Sequence, residues 1–325
     1  MPGRVVEIST DGLHLAVLRG FLVVKDGEGE RGRVPLDDID AIIASAHGLT
    51  FSANLLHALA DRNVPFVVCG PNHMPVSLML PVAGHHAQTG RVRAQITAPL
   101  PLTKRLWQGL VQAKVRNQGA ALAHQGVSSG AFTTLARQVR SGDPTNIEAQ
   151  AARRYWPLLM GTDFRRDNEA GGANALLNYG YAILRSGAAR AVVAAGLHPS
   201  IGIHHSNKGN PMALVDDVME PFRPLVDLAV LRLIRAGVAE VTAEAKRDLA
   251  AILIQDLTTT RGTTPLSTCL HRLATSLADS YQTGEPRLDL PLSPLPLDLA
   301  AGPGRPMEDE DGADWISDHV DDGPV

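Results

Sequence analysis

The hydrophobic pattern of this chain changes period once along its length. Over residues 1–85 the apolar positions come as short β-branched or aromatic runs, Val5–Ile8, Leu13–Leu18, Phe21–Val24, Ile39–Ile43 and Phe66–Val68. Asp11-Gly12, Gly20 and the insert Asp26-Gly-Glu-Gly29 punctuate them, and glycine beside aspartate marks turns because it accepts backbone angles that other residues avoid. Ser52–Asp61 breaks this rhythm, with Leu55, Leu56 and Leu59 at the spacing of one short amphipathic helix. The pattern predicts a small β-rich domain that ends between Pro81 and Gly90.

Beyond Gln95 the period is helical. Thr103 stands where it can cap a helix whose Leu106, Trp107, Leu110, Val111 and Val115 share one face. Asn146 caps a second, running through Glu148, Ala152, Tyr155 and Trp156, and Asn174–Leu184 and Ser186–Ala195 are further helix. Asn210-Pro211 combines a cap with a proline at the first helical position, so a helix starting there carries Asp217 and Glu220. Pro221 and Pro224 segment it, and Leu225–Ala236 and Ala243–Gln255 extend an all-α domain over residues 86–284. The last stretch is different material, with six prolines from Pro286 to Pro306 and then Glu308-Asp-Glu-Asp311. Such a segment buries too little apolar surface to offset its ordering entropy, so residues 285–325 are expected to form a disordered acidic tail. The expected fold class is α+β, a β-rich N-terminal domain followed by the all-α one.

Charge changes the picture more than composition does. The formal net charge of −4 conceals a tail with 11 acidic and 2 basic residues and a body, residues 1–284, with 28 basic and 23 acidic. Within that body no Asp or Glu occurs from Arg62 to Gly142, where nine Lys or Arg do. A one-sided field of this kind gathers phosphates, with Lys104, Arg105, Lys114 and Arg116 on one helix as candidate contacts. Two cysteines, Cys69 and Cys269, make neither a disulfide framework nor a zinc site, which points to a reducing cytoplasm. The N-terminus lacks a long apolar run, and Ala191–Ile203 is too short to cross a bilayer, so no membrane insertion is expected.

Three segments carry candidate metal chemistry: Glu148 in Asn-Ile-Glu-Ala, the pair His204-His205, and Asp216-Asp-Val-Met-Glu220. Asp217 and Glu220, three apart, share a helix face. Acids in the first turn of a helix also stabilise its dipole, and spacing alone does not separate that role from ligation. Without His-Glu-x-x-His or a cysteine cluster, a zinc-protease reading fails, and hard oxygen donors with one imidazole suit magnesium or manganese.

In order along the chain, Asn-Ile-Glu148-Ala-Gln-Ala-Ala-Arg-Arg-Tyr-Trp, Asn178-Tyr-Gly-Tyr-Ala-Ile-Leu-Arg, Ala195-Gly-Leu-His-Pro-Ser-Ile-Gly-Ile-His-His and Asp216-Asp-Val-Met-Glu-Pro-Phe-Arg-Pro-Leu-Val-Asp resemble the CRISPR-associated integrase "Cas one". The resemblance spans roughly Arg4 to Asp279, and the doubled histidine with Met-Glu-Pro-Phe-Arg-Pro is most similar to the type II subgroup. It implies a dimerising β-rich domain, a helical catalytic domain, and a Mg2+ or Mn2+ site held by Glu148, His205 and Glu220, with Asp217 assisting. Tyr179 and Lys208 beside these motifs would meet phosphates. It further implies a metal-dependent endonuclease that joins the 3′-hydroxyl of spacer DNA to a repeat. Double-stranded DNA, a second copy of the chain, a small "Cas two" dimer and an RNA-guided effector nuclease would be its partners.

Overall fold

A computed structural model describes residues 4–46, 48–70, 75–205, 207, 209–292 and 295–296. Two four-stranded sheets fill the N-terminal part. The outer sheet has the order β4-β3-β2-β6, from β2 (His14–Leu18), β3 (Phe21–Asp26), β4 (Gly29–Pro35) and β6 (Thr50–Phe51). Arg19 and Gly20, both at positive φ, make the tight turn that joins β2 to β3 in register, matching the glycine signal at this point. The inner sheet has the order β1-β5-β7-β8, from β1 (Arg4–Ile8), β5 (Ile39–Ala44), β7 (Phe66–Cys69) and β8 (Pro75–Met79). Its first three strands run parallel and β8 antiparallel.

Side-chain alternation along the inner sheet explains why its strands read as unbroken apolar runs. Ile42 and Phe66 belong to a small core with Leu15, Leu22, Leu36 and helix α1 (Ala53–Asp61). Their neighbours Ile43 and Val67 point the other way, into the core of the helical body. Both faces are therefore covered, and every residue of β5 is buried.

The helical body contains α2 (Gln88–Ile96), α3 (Leu100–His124), α4 (Gly130–Gln138), α5 (Ile147–Met160), α6 (Ala173–Ala194), α7 (Ala213–Met219), α8 (Arg223–Arg235), α9 (Ala243–Ala250) and α10 (Leu266–Thr283). A central α6 packs against α7, α8, α9, α10 and β5, and is almost wholly buried. Several boundaries differ from those the sequence predicts. α3 begins at Leu100 after Pro99, and the Thr103 hydroxyl donates to the Leu100 carbonyl inside the first turn instead of capping it. α7 begins two residues after Pro211, because Asn210 Oδ1 takes the Met212 N–H in a local turn. Glu220 lies beyond α7, in a 3-10 turn over Glu220–Phe222 that Pro221 imposes. The helical part is not purely α, since β9 (Asp256–Thr259) and β10 (Gly262–Pro265) form a hairpin before α10.

The tail does not begin as free chain. Arg287 and Asp289 donate backbone N–H groups to Ser280 and Ser276 of α10, Leu292 donates to the Thr258 carbonyl, and Leu288, Leu290 and Leu295 pack on the large core. Leucines interspersed among the prolines supply the apolar area that the purely polar stretch lacks. Residues 297–325, including Glu308–Asp311, lie outside the described residues. Among the described residues no helix is long and apolar enough to cross a membrane.

Candidate metal centre

The centre is assembled on the inner face of α3. Trp107, Lys114 and Gln118 fall seven and four residues apart, so they form one stripe along a 3.6-residue helix. Lys114 Nζ lies 2.6 Å from Glu148 Oε1 and 2.5 Å from Glu220 Oε2, and Arg223 Nε lies 2.9 Å from Glu220 Oε1. Glu220 is buried, and among the described residues its Oε2 has no aligned hydrogen-bond donor although the ammonium stands beside it. Burial pushes the Glu220 carboxyl up, but the Arg223 and Lys114 charges outweigh it and hold the group well below the usual carboxylate range. The same attraction, against the cost of burial, keeps Lys114 charged.

Glu148 owes its place to the start of α5. Asn146, in the left-handed region at φ 52°, takes the Ala149 N–H on its side chain. Asp143 takes the next two free donors, Ile147 N–H at 2.9 Å and Glu148 N–H at 3.0 Å, on its two carboxylate oxygens. Asp143 was not singled out by the sequence, because it precedes the cap by three residues and works only when the turn folds back.

His205 is held from the opposite side. Asp217, fully buried on α7, accepts the Ile203 N–H at 2.6 Å and the His204 N–H at 3.1 Å on Oδ2, while Oδ1 meets His205 Nδ1 at 2.5 Å. The loop wraps this carboxylate so closely that a side chain at Gly202 would strike the His205 carbonyl at 2.4 Å and Asp217 Oδ2 at 3.0 Å. The hydrogen bond to Asp217 occupies Nδ1 and raises the His205 pKa above the ordinary histidine value. Trp107 completes the support, stacking parallel on the His204 ring at 4.3 Å and edge-on to the His205 ring at 5.8 Å.

Glu148 and Glu220 thus meet at the Lys114 ammonium, and the charges of both act on His205. Two carboxylates and an imidazole with one nitrogen pinned by a carboxylate are a donor set that fits a hard divalent cation. Among the described residues no group of three His, Cys, Asp or Glu stands at ligand distances, and the Lys114 ammonium contacts both glutamates. Asp217 uses both oxygens on the histidine loop and thus reaches the centre through His205. Asp216 faces elsewhere, toward Arg185 and Asn210.

Two of the candidate phosphate contacts are corrected. Tyr179 is fully buried on α6 and donates its hydroxyl to Glu7 Oε2 at 2.9 Å, on the side of the inner sheet. Lys114 is buried in the centre instead of lying on the surface with its neighbours. Its place was readable in principle, because a lysine seven residues from Trp107 interrupts the apolar stripe. Lys104, Arg105 and Arg116 are exposed, and Lys208 lies outside the described residues.

Residues 6–260 match the family described as CRISPR associated protein Cas1. The CRISPR-associated endonuclease Cas1 of Neisseria meningitidis serogroup C (strain 8013) is 39% identical over 248 residues, which cover 75% of this chain and 81% of that protein. A CRISPR-associated endonuclease Cas1 of Pyrobaculum aerophilum is 32% identical over 276 residues, 78% of this chain and 89% of that one. Among solved structures, a casposase bound to integration product superposes with a TM-score of 0.75 at 21% identity, covering 88% of this chain and 92% of its own. A CAS1 protein from Thermotoga maritima gives 0.72 at 17% identity, covering 87% and 98%. At these identities the two structures share the fold.

Proposed function

The chain belongs to the Cas1 family of CRISPR-associated proteins, and from that premise we propose that it is a metal-dependent DNA integrase and endonuclease of CRISPR adaptation. The observation that carries the reading is that Lys114 draws Glu148 and Glu220 together where their charges act on His205, beside a helix whose outer face is basic. Glu148, Glu220 and His205 Nε2 would hold Mg2+ or Mn2+. When bound, such an ion favours the ionised form of an attacking hydroxyl and stabilises charge on the phosphate oxygens.

The protein's own residues supply placement. Asp217 fixes the His205 ring, Asp143 and Asn146 fix the Glu148 backbone, and Arg223 fixes Glu220. A surface with Lys104, Arg105 and Arg116 would hold two DNA duplexes in register. In the joining step the 3′-hydroxyl oxygen of the spacer strand attacks a repeat phosphodiester. One phosphorus–oxygen ester bond forms, one breaks, and the displaced strand leaves with a 3′-hydroxyl that takes the proton. No external energy source is needed, because one phosphodiester replaces another.

A second copy of the chain and a dimer of Cas2 are the proposed assembly, in line with the Cas6-RT-Cas1–Cas2 complex among the fold neighbours. A type II effector nuclease is a further proposed partner. The test is strand transfer of a spacer-like duplex with free 3′-hydroxyl ends into a repeat-bearing plasmid in Mn2+. The wild-type chain should give joined product, and Glu148→Ala and His205→Ala should each lose at least about a hundredfold while folding and DNA binding persist. Cleavage without any joined strand would identify a free-standing nuclease, and joining by both variants would sink the metal assignment.

A further inference from the structure

The Lys114 ammonium has no part in the chemistry assigned to the centre, yet it occupies the middle of it. Buried on α3, it contacts Glu148 Oε1 at 2.6 Å and Glu220 Oε2 at 2.5 Å, so it stands between the two carboxylates that would take a divalent ion. A tethered ammonium and a metal cannot share that position, because like charges a few ångströms apart repel strongly away from bulk water. One of them must yield.

The structure offers the ammonium a second seat. Beside it opens a cavity of about 250 Å³ whose lining includes Gln118, Trp156, Arg166, Tyr181, Arg223 and Asp227. Gln118 lies one helical turn beyond Lys114, and its buried Oε1 has no hydrogen-bond partner among the described residues. The Asp227 carboxylate faces the same space and feels the Lys114 charge. Two arginines share the wall but are anchored, Arg223 with its Nε 2.9 Å from Glu220 and its guanidinium 4.8 Å from the Tyr181 ring centre, and Arg166 by donating to the side-chain oxygens of Asn174 and Asn178. A four-carbon side chain with three rotating donors suits such a move better than a rigid guanidinium would.

We propose that Lys114 is a positioning residue with two seats: without metal its ammonium clamps Glu148 and Glu220 together, and on loading it withdraws toward Gln118 and Asp227. The clamp keeps the buried Glu220 and the half-buried Glu148 carboxylates from repelling each other apart while no cation is present. Withdrawal then hands the pair over already in place. The inference rests on the metal reading of Glu148, Glu220 and His205.

The test is Mn2+ binding, read from the free-ion paramagnetic resonance signal, together with thermal unfolding in chelator, on the wild-type chain, Lys114→Met and Gln118→Leu. Lys114→Met should unfold at lower temperature without metal and bind Mn2+ at least about tenfold more tightly, since its competitor is gone. Gln118→Leu should unfold near the wild-type temperature in chelator but bind Mn2+ severalfold more weakly, because the displaced ammonium has lost an acceptor. If the wild-type chain binds Mn2+ and Lys114→Met binds it no more tightly, the two-seat inference is overturned while the metal reading stands. If Lys114→Met does not fold, unchanged Mn2+ affinity in Gln118→Leu overturns it instead. No Mn2+ binding by the wild-type chain overturns the metal reading itself, and the inference with it.

Discussion

Asp217 and Asp227 are both fully buried acids near the centre, and their surroundings set them opposite tasks. Asp217 is satisfied by loop N–H groups and the His205 ring. Asp217→Asn would turn an amide NH2 toward those donors and free the ring, so Mn2+ affinity should fall by roughly tenfold to a hundredfold, with joining falling in parallel. A Mn2+ titration beside the strand-transfer assay checks this, and unchanged affinity would show that His205 needs no such support. Asp227 has no comparable set of donors. Burial raises its carboxyl to about 6, although the Tyr181 hydroxyl donates to it and Arg223 lies near. Its folded pKa lies above the unfolded value of about 3.9, so between these values the folded chain holds the extra proton. Stability from this group is therefore greatest at acid pH and is lost as pH rises through about 6. Relative to Asp227→Asn, the wild-type chain should gain roughly 2 kcal/mol of unfolding free energy between about pH 7 and about pH 4.5. Urea titrations of the two proteins at both pH values measure it, and a constant difference would refute the raised pKa.

The start of α5 shows at the scale of an element what the sequence discloses and what it withholds. Asn146 is legible as a cap because its partner, the Ala149 N–H, lies three residues on. Asp143 is not, since its grip on Ile147 and Glu148 depends on Asp143 and Asn146 both adopting positive φ. Asp143→Ala should therefore cost about 1–2 kcal/mol of stability and also reduce joining, because it loosens the backbone of a proposed ligand. Chemical unfolding and the joining assay on the same preparation separate the two effects, and a loss of stability with full joining would confine Asp143 to capping. The same local-against-distant distinction runs through the other elements. Leu266, Leu270, Leu273 and Leu277 carry the spacing of α10 in plain sequence. The 3-10 turn at Glu220 and the wrapped loop at His205 are fixed by Pro221, by Gly202 and by contacts twelve or more residues away, which no local period records.

Across the whole molecule the acid-free stretch resolves into layers with different fates. Arg62 is neutralised by Asp37, and Lys114 is buried in the centre. Lys104, Arg105, Arg116, Arg137 and Arg140 are exposed, and among the described residues none of them pairs with a carboxylate. A bias visible as composition thus becomes a surface where α3, α4 and the residues just after α4 turn outward, and Arg93 of α2 is exposed as well. Arg105 and Arg116, eleven residues apart, return to the same side of α3 after about three turns, roughly 16 Å along its axis. The helix that presents them outward presents Trp107, Lys114 and Gln118 inward, so one element carries both the proposed DNA surface and the support of the centre. Replacing Lys104, Arg105 and Arg116 together by alanine should weaken DNA binding about equally for all sequences. It should also flatten the dependence of log affinity on log salt by about 0.9 for each phosphate that the variant no longer neutralises. Tyr179→Phe, altered inside the fold, should leave that slope unchanged. Fluorescence anisotropy with one labelled duplex over a salt series measures both variants, and an unaltered slope in the triple variant would move the DNA surface off α3.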